Sequence, residues 1–185
     1  MRSLKCVWFV GALAVLTPGV LMGRSHSMPV TNRSQVGYAS PEGRELLNQI
    51  AERASAIQNT IGPLDRETRF DKADSWTESS ALNDVRDEVN SMGKDLRRLS
   101  DLRAQLAPWQ QRELDRITPL AVALARTTRD AIRTFDQNID HTWTTQLPKD
   151  LTTMSECANE IDSSVKETTK VAKLDQEIDR LKHKS

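Results

Sequence analysis

Glycine, proline and aromatic residues are all scarce: 7 glycines, 7 prolines and 4% aromatics in 185 residues. A β-sandwich or barrel needs short alternating strands with a turn signal about every 8–12 residues, and strand signals of that kind are absent. Charge of one sign is also missing. There are 26 basic and 26 acidic residues, so no basic surplus exists to draw the chain to nucleic acid. Cysteine is nearly absent, with only Cys6 and Cys157. Beyond the first residues there is no apolar run long enough to cross a membrane, which takes about 20 residues. What is abundant is Ala, Leu, Arg, Asp, Glu and Gln, the composition of an all-α domain.

The exception is the N-terminus, MRSLKCVWFVGALAVLTPGVLMGRSHS. Arg2 and Lys5 precede a short apolar stretch, and small residues follow at Gly23, Ser25 and Ser27. That order is expected of a secretory signal peptide over residues 1–25. The alternative is an uncleaved anchor, which Pro18-Gly19 would interrupt. Cleavage would remove Arg2, Lys5 and Arg24 and leave 23 basic against 26 acidic residues. The expected location is periplasmic or secreted, with no stable membrane span after cleavage. Cys157 would then be the last cysteine: a partly buried small residue, or a candidate intermolecular disulfide.

Residues 26–39 read as a flexible leader and 40–185 as a helical domain. The first helix should start at Ser40-Pro41, with Ser40 as cap. Leu47, Ile50, Ala54, Ile57 and Ile61 share one face, and Gly62-Pro63 should end the helix. A second helix should begin at Ser75-Trp76-Thr77-Glu78, which has capping-box spacing. Leu82, Val85, Val89, Met92, Leu96, Leu99 and Leu106 form its heptad-like stripe. Gly93 beside that stripe suggests a close helix approach. Gln105-Leu106-Ala107 reads as a tight turn, with Pro108 opening a third helix because proline cannot continue the second. The third stripe runs from Leu114 through Ile117, Ala121, Leu124, Ala131 and Phe135. Pro119 should bend or restart that helix, and its end is expected near Thr144-Thr145. The fourth carries Leu151, Met154, Ala158, Ile161 and Val165, then Val171, Leu174, Ile178 and Leu181, with a slip near Val171.

Four amphipathic segments that cannot bury themselves alone point to an up-down-up-down antiparallel four-helix bundle with one short and three long helices. A short first helix would leave a groove between the longer ones uncovered. Phe70, Trp76 and Trp143 should lie toward one end, and Trp109 at the other.

Chemistry-bearing constellations are few. The histidines are His26, His141 and His183, and no Glu-x-x-His pair exists for a di-metal site. No Cys-x-x-Cys-His, glycine-framed serine or phosphate-cradling glycine loop occurs either. The expectation is a non-enzyme with no cofactor, no metal and no catalytic residue. Residues 94–133 hold nine basic and five acidic side chains; residues 134–179 hold four lysines and ten carboxylates. Either the third and fourth helices cross-pair along their edges, or an arginine-lined face awaits an acidic or unfolded partner.

Leu106-Ala107-Pro108-Trp109-Gln110 is similar to the Leu-Thr-x-x-Gln motif of small periplasmic helical chaperones and metal-stress sensors. In that family the motif occurs twice and its Thr caps a helix. Here there is one five-residue copy, with Ala107 at the capping position, so the chain is not assigned to it.

The functional expectation is a protein-interaction module of the cell envelope, binding another envelope protein or itself. Candidate interaction residues are Trp76, Trp109, Trp143, Arg97 and Arg126. Alternatives are a carrier of haem, metal or lipid between the helices, and a holdase-like chaperone.

Overall fold

A computed structural model of the chain describes residues 40–70, 74–139, 142 and 145–182. The expected signal segment and leader, Cys6, all three histidines and Trp143 lie outside these residues. The order is α1 (Pro41–Arg69), α2 (Ser75–Asp101), a 3-10 turn (Arg103–Gln105), α3 (Pro108–Gln137) and α4 (Leu147–Lys182). Among the described residues there is no strand. The helices pack against one another, α1 on α2 and α4, and α3 on α2 and α4.

The stripes read from the sequence form the core. Leu47, Ile50, Ile57, Val85, Met92, Leu99, Ile117, Leu124, Leu151, Met154 and Ile161 are all at most 1% exposed. Fully burying each such side chain is worth about 1.5–3 kcal/mol relative to leaving it in water.

The first helix is not short. It spans 29 residues against 27 for α2, with Gly62-Pro63 inside it. An internal proline costs about 3 kcal/mol through a lost hydrogen bond and a clash with the carbonyl four residues earlier. Two features offset that here. Pro63 and Asn59 both lie on the solvent side, so the orphaned carbonyl can turn to water. Beyond the proline, Leu64 and Thr68 are 2% and 1% exposed, so continuing the helix extends the core. Pro119 behaves alike: it and Asp115 are exposed, and α3 runs through without restarting.

The capping box expected at Ser75 is not formed. Asp74 is the cap, its Oδ1 accepting from the Thr77 amide at 2.9 Å. Glu78 is instead 1% exposed and accepts from the Thr68 hydroxyl at 2.7 Å and the Thr142 hydroxyl at 3.0 Å. The connection before α3 is a turn, as the proline requires: Ala107 is extended (ψ 154°) and α3 starts at Pro108. Ala107 has no acceptor, so only the return half of a capping box exists: Gln110 Oε1 accepts from the Ala107 amide at 2.9 Å. The same amide group accepts from Ser40 N and donates to Ser40 O, both at 3.0 Å, tying the start of α3 to the start of α1. α3 ends at Gln137, earlier than expected, with Asn138 as its C-cap.

Gly93 serves no close approach. A β-carbon built there meets nothing within 4 Å. Gly43, which the sequence did not single out, is the tight one: its β-carbon would lie 2.5 Å from Leu106 Cδ2 and 2.9 Å from Gln110 Nε2.

Candidate interaction site

Two shallow grooves flank α4, one of about 390 Å³ against α1 and one of about 420 Å³ against α3. The second contains a sequence-predicted residue and is the candidate site. Its α3 wall is Trp109, Arg112 and Arg116. Spacings of three and four put these on one helix face. Trp109 is half-buried, its ring packed on the core; both arginines are exposed. The α4 wall includes Thr168, Val171 and Ala172, with Glu167 and Asp175 also present.

Glu113 lies under the groove at 3% exposure. It accepts from the Ser164 hydroxyl at 2.5 Å and the Thr168 hydroxyl at 2.7 Å. Like Glu78, this carboxylate has hydroxyl donors and no cation among its described partners. A buried charge without donors would be costly, so these pairs fix how α4 seats on α3. In the sequence Glu113 looks like one more solvated charge. The available signal was its place beside the stripe residue Leu114, opposite a Ser/Thr-rich part of α4.

The arginines of α3 are not neutralised by α4. Among the described residues no ion pair joins these two helices, which overturns the cross-pairing expectation. Inter-helix pairs sit between α1 and α2 instead: Arg53 with Asp95 at 2.7 Å and Glu88 at 3.1 Å, and Arg98 with Glu42 at 2.8 Å. The Asp95 hydrogen bond is the main influence holding the Arg53 guanidinium above its usual range. Arg112, Arg116 and Arg126 stay exposed with no ion pair among the described residues.

The other candidate residues do not join this site. Trp76 is 79% exposed at the start of α2, near the end of α1, while Trp109 lies near the start of α1. Phe70, 71% exposed, lies at the end of α1. Arg97 is exposed on α2, and Arg126 lies along α3 beyond the groove. Cys157 is half-buried on α4 against the core. Burial, then Glu160 and Glu156, push its thiol up, which keeps the reactive thiolate scarce.

Among the described residues no group of three or more His, Cys, Asp or Glu side chains could hold a metal ion. No described helix is long and apolar enough to cross a membrane. No family model, curated protein or solved structure matches the chain.

Proposed function

We propose that the chain is an exported, non-enzymatic bundle of up-down-up-down topology that serves as a protein-interaction module of the cell envelope. The topology reading is supported by contacts at both ends of α1: Arg44 with Gln176 and Arg69 with Thr152. Export rests on the N-terminal residues alone. The observation that carries the interaction reading is the groove wall of Trp109, Arg112 and Arg116, an aromatic followed on the same helix face by two arginines that have no ion pair among the described residues. Tryptophan and arginine are the side chains most often dominant at protein interfaces. An acidic segment with one apolar anchor fits this wall: its carboxylates would take the guanidinium forks, and the anchor would rest on the indole.

The test is capture from envelope extracts with the wild-type chain and with Trp109→Ala combined with Arg112→Glu. A discrete partner retained by the first and lost by the second supports the proposal. Recovery of the same partner by both would refute this groove. Suppression of aggregation of many denatured clients, without a discrete partner, would support the chaperone reading instead.

A further inference from the structure

A second surface, which meets the α4 side of that groove at Val171 and Asp175, arises where α4 changes its apolar face. At about 100° per residue, Leu151, Met154, Ala158, Ile161 and Val165 share one side. All are at most 1% exposed. Continued past Val165, that side reaches Thr169, Ala172 and Gln176. The next large apolar residues, Val171, Leu174 and Ile178, fall on roughly the opposite side and are 56%, 50% and 48% exposed. Leu181 continues their spacing. The slip seen in the sequence is therefore a change of face, from the core to solvent. From residue 170 to 182 no side chain is buried, yet the segment is helical. A helix end that buries no side chain gains little from packing, so a covered seam would stabilise it.

We infer that the occupant is the same seam of a second copy, paired as a parallel two-stranded coiled coil over residues 170–182. In heptad terms Val171 and Ile178 are a positions, and Leu174 and Leu181 are d positions. Branching at the β-carbon at a with leucine at d favours parallel dimers. The flanking charges agree. A parallel pair sets each g residue beside the e residue five positions later on the other helix. These pairs are Lys170 with Asp175 and Glu177 with Lys182, both of opposite sign. An antiparallel pair matching Val171 with Leu181 and Leu174 with Ile178 brings Asp175 near its own copy and Glu177 near its own copy. Those are like charges, so charge selects the parallel arrangement. Glu160 and Glu167 occupy the preceding d positions, which ends the seam on that side. Because the seam faces away from the core side of α4, each bundle sits on the outside of the pair.

The experiment uses the full chain with Cys6→Ser and Cys157→Ser, and Val171→Cys as the sole thiol. Mild oxidation should give a disulfide band of doubled mass, because a parallel pair places the two copies of position 171 in one layer. Adding Ile178→Asp should abolish the band while circular dichroism stays unchanged, since the side chain is exposed. Lys170→Glu with Lys182→Glu should also abolish it. Mixing that variant with one carrying Asp175→Lys and Glu177→Lys, both on the Val171→Cys background, should restore it. No band, or a band insensitive to Ile178→Asp, would overturn the inference. A band formed only between Val171→Cys and Leu181→Cys chains would overturn the parallel arrangement.

Discussion

Gly43 lies in the first turn of α1 and Gly93 inside α2, and replacing each by alanine should move stability in opposite directions. At Gly93 the added methyl meets nothing within 4 Å. The helix gains the propensity difference between Ala and Gly, about 1 kcal/mol, and the unfolded chain loses freedom. For a domain of this size that should raise the melting temperature by about 2–4 °C. At Gly43 the same methyl would come within 2.5 Å of Leu106 Cδ2 and 2.9 Å of Gln110 Nε2. Leu106 is 5% exposed and has little room to turn. Gln110 is fully buried and bonded to Ser40 and Ala107. Relief therefore means losing a bond in the joint between α1 and α3. Overpacking of this kind costs about 1–3 kcal/mol, more than the propensity gain. Urea unfolding followed by circular dichroism would measure both. Stabilisation by Gly43→Ala, or no gain from Gly93→Ala, would refute the packing described at these helices.

Three further outcomes are expected. Glu113→Ala should lower stability to urea by about 2 kcal/mol, because the Ser164 and Thr168 hydroxyls lose a charged acceptor, and Glu113→Gln should cost less. The Cys157 thiol should react more slowly with a disulfide reagent in the native chain than in urea at pH 8, since burial pushes it up; equal rates would show it to be exposed. The Thr77 amide bond holds the Asp74 carboxyl below its ordinary value. A lowered folded-state pKa contributes stability above the unfolded-state value that is lost as pH falls through the lowered one. Asp74→Ala should therefore be less stable than wild type at pH 7, with the gap closing in strong acid, whereas Asp74→Asn keeps the cap at pH 7.

The residues facing the core were legible because three-and-four spacing is a physical consequence of helix geometry. Every stripe residue from Leu47 to Ile61 and from Leu151 to Val165 is buried. Pro108 was legible as a helix start because the backbone rule is local. Pro63 was not, because whether a proline stops a helix depends on what lies beyond it, here the buried Leu64 and Thr68. Glu78 had the spacing of a capping partner, but tertiary donors from Thr68 and Thr142 claimed it. In the candidate site Trp109 was visible by residue type. Arg112 and Arg116 became its companions only once the helix register was fixed and the ion pairs were placed elsewhere. The slip at Val171 was visible; that it turns the seam outward needed the burial pattern.

On the inference drawn above, α4 carries two faces in series, one closing the bundle and one meeting a second copy. Amide hydrogen exchange across α4 at low and high protein concentration tests it most directly. Residues 151–165 should exchange slowly at both concentrations, while 170–182 exchange fast when dilute and slowly when concentrated. Exchange over 170–182 at one rate regardless of concentration, fast or slow, would mean that no second copy covers the seam.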